Sequence, residues 1–97
     1  MIYDIAIIGS GPAGVSAVLN AKILNKNYIW FSSKATSDKV SKAELIKNYP
    51  GLPSVTGGEL GWTFLNHCES MNIRLTREVI TGVYETGDKF TLLAGDK

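Results

Sequence analysis

An unbroken apolar run, Ile5-Ala6-Ile7-Ile8, leads directly into Gly9-Ser10-Gly11-Pro12-Ala13-Gly14. A strand apolar on both faces suits a parallel sheet covered by helices on both sides. Ile2 to Ile8 is read as such a strand, with Asp4 as its one charged interruption. Gly9 permits a sharp turn out of the strand. Gly11 has no side chain, so a pyrophosphate can approach its backbone, and Gly14 lets the next helix lie close to the strand. Pro12 suits a first helical position, where a missing N–H costs nothing. Bare N–H groups at that helix start, with the positive end of the helix dipole, face a phosphate. Strand, glycine turn and helix start, in this order, point to a dinucleotide site at the mouth of a parallel sheet.

Glycine patterns recur by chance, and an ordinary strand-to-helix turn is the plain alternative. The context carries the weight. A helical stretch from Pro12 to about Asn25 has Val15, Ala17, Val18, Ala21, Ile23 and Leu24 as its apolar residues. A second strand, Tyr28 to Ser32, follows within the roughly 30 residues expected of a strand–helix–strand unit.

With 97 residues the chain holds at most one small domain. Hydrophobic content of 44% and charged content of 20% describe a globular chain. The net charge is +1 without a basic cluster, which gives no footing for nucleic acid or an anionic membrane surface. No apolar stretch approaches a membrane span, and the first residues read as a core strand rather than a signal peptide. A single cysteine cannot form an internal disulfide, and a cytoplasmic location is expected. A doubly wound domain that holds a whole dinucleotide needs more chain than this. The expectation is a piece of a larger protein.

After the second strand, Ser33 to Lys42 reads as a loop or short irregular helix. Lys47 to Pro53 is turn-rich, because Pro50 and Pro53 bias their predecessors towards extended backbone. Thr56 and Glu59 have the spacing of a capping box. The helix they open is expected to reach about Asn72, with Leu60, Phe64, Leu65, Cys68 and Met71 as its apolar stripe. Ile73 to Thr76 is expected as a third parallel strand. Glu78 to Glu85 and Lys89 to Ala94 are expected as an antiparallel pair joined by Thr86-Gly87-Asp88.

The glycine motif and Asn48-Tyr49-Pro50-Gly51 together resemble the thioredoxin reductase family of flavoproteins, over essentially the whole chain. The resemblance implies an α/β, Rossmann-like FAD-binding half-domain over residues 1–97. It has parallel strands with flanking helices and a C-terminal β-hairpin, and it is incomplete relative to the family. By resemblance, Gly9, Ser10, Gly11, Pro12, Ala13 and Gly14 form the FAD pyrophosphate loop. Ser32, Ser33 and Lys34 lie near the adenosine ribose, Asn48 on the flavin side, and Val79 meets the adenine through its backbone. Dinucleotide sites usually end the second strand with an acidic residue for the ribose; this chain has Trp30-Phe31-Ser32-Ser33 there. Family members carry a Gly-Gly-Gln segment where this chain has Thr36-Ser37-Asp38-Lys39-Val40. In the family, the second half of the FAD domain follows an inserted NADPH domain that bears a Cys-x-x-Cys. Neither falls within these 97 residues, so the chain alone is expected to be inactive.

Single residues have plainer roles. Cys68 lies on an apolar stripe and reads as a buried, inert thiol. His67 points about 100° away from it, which argues against a Cys–His pair; a surface position is expected, and metal ligands are lacking. Trp30 and Phe31 face opposite sides of a strand and pack in the core rather than forming one stacking platform. Trp62 is expected to be partly exposed, marking a contact with further chain. Asp4 and Glu59 are not an acid–base pair. Lys34 has two readings, a solvated loop lysine or a partner for a 2′-phosphate.

The leading reading is the FAD-binding N-terminal segment of an NAD(P)H-dependent flavoprotein oxidoreductase resembling thioredoxin reductase, with NADPH or NADH as donor. The acceptor is a disulfide, or a ferredoxin-like partner if no Cys-x-x-Cys exists elsewhere. The rivals are a non-catalytic, self-assembling nucleotide-binding module and a simple NAD(P)-binding Rossmann domain. Self-association is also expected. Without a further strand, Ile5 to Ile8 offers an unpaired apolar edge.

Overall fold

The computed structural model describes residues 2–33 and 42–95. Most of the expected loop at 33–42, including Lys34 and the segment Thr36 to Val40, lies outside the described residues. The elements are β1 (Ile5–Ile8), α1 (Pro12–Ile23), β2 (Tyr28–Ser32), α2 (Gly57–Ser70), β3 (Thr76–Arg77), β4 (Ile80–Thr86) and β5 (Lys89–Ala94). β1, β2 and β3 form a parallel sheet in that spatial order, and β4 and β5 form a separate antiparallel hairpin. The architecture is the Rossmann-like half-domain, with a hairpin appended, that the sequence implies.

The order β1-β2-β3 decides where the helices lie. The chain crosses the sheet twice in the same direction, and crossovers between parallel strands are right-handed. Both helices therefore fall on one face. The main core shows this: Ile7 and Trp30 from the sheet meet Val15, Val18 and Ala21 of α1, Cys68 of α2, and Ile73. Ile7 and Trp30 are register partners and share that face. Ala6, Ile8, Ile29 and Phe31 alternate to the other side, where Ile8 is 53% exposed. The expectation of a β1 buried on both faces is corrected accordingly, since of its residues only Ile7 is buried. Pairing also begins at Ile5 rather than Ile2; the Asp4 and Ile5 N–H groups both reach the Asn27 carbonyl.

β1 is an edge strand. Its Ile5 and Gly9 N–H groups donate to the Asn27 and Phe31 carbonyls beside β2. By the alternation of a parallel ladder, the peptide groups of Ala6 and Ile8 point outward.

Both helices end in the same way. After α1, Asn25 takes φ +54, the Lys26 N–H donates to the Ala21 carbonyl, and the Asn25 N–H to that of Lys22. After α2, Asn72 takes φ +58, with Ile73 bonded to Cys68 and Asn72 to Glu69. These are Schellman endings with asparagine in the left-handed position. They stop α1 at Ile23, short of the expected Asn25. They also tuck Ile73 into the core beside Cys68. The third strand therefore starts at Thr76, not at Ile73, and pairs Thr76 and Arg77 with Phe31 and Ser32. A tight bend, with the Glu78 N–H on the Thr76 carbonyl, then delays β4 to Ile80.

The start of α2 forms the expected capping box. Thr56 Oγ1 accepts from the Glu59 N–H at 3.1 Å, and a Glu59 carboxylate oxygen accepts from the Thr56 N–H at 3.1 Å. A small second core, Val55 and Leu60 with Ile46, Tyr49, Leu52 and Phe64, seats this end of the helix.

Two predictions follow from this geometry. An added Cβ at position 14 would lie 2.3 Å from the Gly9 carbonyl oxygen. Gly14→Ala therefore forces α1 away from β1, and a loss of about 1–3 kcal/mol is expected by urea unfolding. At the cap, the Thr56 backbone N–H and then its side chain hold the Glu59 carboxyl below its ordinary value. A carboxyl with a depressed folded-state pKa adds stability above its unfolded value, and loses it as pH falls through the folded one. The advantage of the parent over Glu59→Ala should thus be full above the ordinary carboxylate range. It should shrink on acidification through the lowered value, as read from unfolding midpoints at a series of pH values.

Candidate functional site

The carboxyl ends of parallel strands are where open α/β sheets place their ligands. In this chain that end holds the Gly9–Gly14 turn after β1, Ser32 at the end of β2 with Ser33 just beyond it, and Arg77 beside Ser32 in register. Gly9 leaves the strand at φ +121, a conformation that L side chains rarely adopt. Gly11 then acts as N-cap in extended conformation, with Pro12 opening the helix and no side chain capping it. The Gly11 carbonyl accepts from the Val15 N–H at 3.0 Å. Among the described residues, the N–H groups of Gly11, Ala13 and Gly14 meet no acceptor. They sit at the positive end of the α1 dipole.

β2 holds this turn from behind. The Gly9 N–H donates to the Phe31 carbonyl at 2.7 Å. The Trp30 indole N–H donates to the Gly9 carbonyl at 2.6 Å. The Ser32 hydroxyl donates to the Ser10 hydroxyl at 3.0 Å, and Ser10 is buried. The serine that stands where an acidic residue is usual thus braces the loop. Its hydroxyl remains at the strand end where a ribose would approach.

Placement of the other expected site residues is mixed. Ser33 is exposed just beyond β2, and Lys34 lies outside the described residues. Val79 is 54% exposed before β4. Its carbonyl accepts from the Gly95 N–H, and its own N–H meets no acceptor among the described residues. Asn48 is exposed on a loop closed by bridges between Ile46 and Val55 and between Tyr49 and Leu52. Pro50 and Gly51 have a structural explanation. Gly51 takes φ +86, and the Leu52 N–H bonds to the Tyr49 carbonyl at 3.0 Å. Proline followed by a positive-φ glycine is the signature of a type II turn. Tyr49 packs tilted on Phe64, with ring centroids 5.7 Å apart. The motif thus presents Asn48 from a turn anchored on α2.

Trp30 is the residue whose role at the site sequence reasoning missed; its burial was expected, but not its bond to Gly9. The signal was available, because a tryptophan in a core must place its N–H. Cys68 is buried, and burial pushes its thiol pKa up; a thiol held protonated is a poor nucleophile. His67 is exposed, and no metal-binding cluster occurs among the described residues. Nor, among them, is any helix long and apolar enough to cross a membrane. Trp62 is 66% exposed.

No family model matches the chain. Curated relatives do. It is 34% identical over 97 residues to thioredoxin reductase of Mycoplasma pneumoniae, spanning all of this chain and 31% of that protein. It is 28% identical over 96 residues to thioredoxin reductase of Bacillus subtilis, spanning 99% of this chain and 30% of that protein. Among solved structures, a ferredoxin-flavin thioredoxin reductase from Clostridium acetobutylicum superposes with a TM-score of 0.90 at 51% identity, over 95% of this chain and 32% of that one. Thioredoxin reductase of Lactococcus lactis superposes with a TM-score of 0.89 at 26% identity, over 99% of this chain and 32% of that one. The chain thus spans about a third of the length of its relatives. In sequence and in fold it is the counterpart of the N-terminal third of the thioredoxin reductases.

Proposed function

We propose that residues 1–97 are the FAD-binding segment of a thioredoxin-reductase-like, NAD(P)H-dependent flavoprotein oxidoreductase of the disulfide reductase class. The observation that carries this reading is the set of N–H groups on Gly11, Ala13 and Gly14, at the mouth of the sheet, that meet no acceptor among the described residues. A diphosphate supplies the acceptors they lack and the negative charge the helix end favours. The tight fit of Gly14 on Gly9 brings the helix end to the strand end. Ser32 and Ser33 offer hydroxyls for a ribose, the Val79 N–H a donor for the adenine, and Asn48 an amide for the flavin side. When bound, FAD supplies the hydride and electron chemistry, and the protein holds and orients it. The proposal places the protein in the cytoplasm, where a thiol such as Cys68 stays reduced.

A second reading concerns the electron source of the whole protein. The Clostridium acetobutylicum structure is named for ferredoxin and flavin. That name supports a ferredoxin-type donor as the alternative to a nicotinamide, and reduction of the full-length flavoprotein by NADPH, NADH or reduced ferredoxin distinguishes the two. We also infer that the isolated chain self-associates through β1, whose outward peptide groups and apolar residues lack the charges, prolines or bulges that usually protect an edge.

The purified chain should retain flavin, seen as flavin absorbance after desalting. Gly11→Asp tests the loop cleanly. Aspartate is a favoured N-cap, so α1 should form, but its carboxylate competes for the same amides and repels a diphosphate. Loss of flavin with unchanged far-UV circular dichroism is expected. A colourless parent that takes up NADP, or neither nucleotide, would overturn the FAD reading. Light scattering should give a mass above one chain, falling to one chain in Ile8→Lys.

A further inference from the structure

A tryptophan in a helix–sheet core has a single polar atom to satisfy. Trp30 is 2% exposed and pairs with Ile7 on the helix side of the sheet. It sends its indole N–H to the carbonyl of Gly9, 21 positions away in sequence, at 2.6 Å. That carbonyl is the pivot of the loop. It belongs to the residue at φ +121, and it is the atom that an added Cβ at Gly14 would strike. The Gly9 carbonyl and the Ser10 N–H share one planar trans peptide and point in opposite directions. Fixing the first sets the second, and with it the heading at which the chain enters Gly11.

We propose that Trp30 is a positioning residue of the diphosphate loop, its indole N–H clamping the Gly9 carbonyl so that the amides of Gly11, Ala13 and Gly14 stand ready for their ligand. This rests on the FAD reading above. Trp30 is buried and acts through Gly9. The Phe31 carbonyl and Ser32 hydroxyl hold the loop at two further points, Gly9 N–H and Ser10 hydroxyl. The indole is the one group of β2 that grips the carbonyl side of the turn among the described residues.

The test is removal of the N–H with the ring kept. Trp30→Phe does this with some loss of volume. In a Trp62→Phe background, benzothienylalanine in place of the sole remaining tryptophan keeps the bicyclic shape and lacks the donor, so it carries the test if Trp30→Phe fails to fold. Each protein is titrated with FAD, and its ligand-free backbone amide resonances are compared with those of the parent. FAD affinity should fall about tenfold, the scale of a lost buried hydrogen bond. The resonances of Ser10 and Gly11 should move while those of the β4–β5 hairpin stay. Trp62→Phe alone should do neither. If the parent binds FAD and the benzothienylalanine protein binds it equally well, the clamp is refuted. If the parent binds no FAD, the FAD reading fails, and the resonances alone decide. Unmoved Ser10 and Gly11 signals would then refute the clamp, and displaced ones would uphold it.

Discussion

The contact of Gly14 with the back of Gly9 governs the rest of this molecule. An L side chain cannot occupy position 14 without striking the Gly9 carbonyl oxygen, so α1 can begin this close to the end of β1 only with glycine there. Close approach has two results. It drives Val15, Val18 and Ala21 down onto Ile7 and Trp30, which builds the main core. It also brings the uncapped end of α1 to the carboxyl ends of the strands. Packing and site geometry thus share one cause, and a change that loosens the first displaces the second.

Diphosphate binding of the type proposed needs no more side-chain chemistry than the loop displays. In that proposal the recognising groups are backbone amides, and the side chains nearby brace them. Serine to serine, indole to turn carbonyl and turn amide to strand carbonyl all tie the turn to β2. Preorganised donors do not have to be ordered when a ligand arrives, and that is where such a loop gains affinity.

Much of this was legible in the sequence, and for identifiable reasons. β2 occupies the expected residues because a short apolar run between polar turns has few alternatives. The capping box at Thr56 and Glu59 is local chemistry, and it forms as spacing implies. The strand ends were harder. Asn25 and Asn72 adopt left-handed backbone to close their helices, and nothing in their identity distinguishes that use from a plain loop asparagine. Ile73 reads as a strand residue because it is β-branched, yet the helix ending pulls it into the core. The bare side of β1 was missed because an all-apolar strand looks the same whether one layer or two cover it. At the site, the glycine spacing disclosed the loop, while its bracing by Trp30 depends on a register between distant segments that single-residue reading does not resolve.

The placement of both helices on one face bears on how the chain is made. The main core draws on nothing beyond Ile73 and its partly buried neighbours up to Leu75. That layer can close during translation as soon as β3 has cleared the ribosome. The opposite side, with Ile8 and Phe31, is still wet at that moment. A nascent unit in this state has its glycine loop shaped and one flank of its sheet apolar and exposed, the kind of surface that makes partly folded chains prone to aggregate.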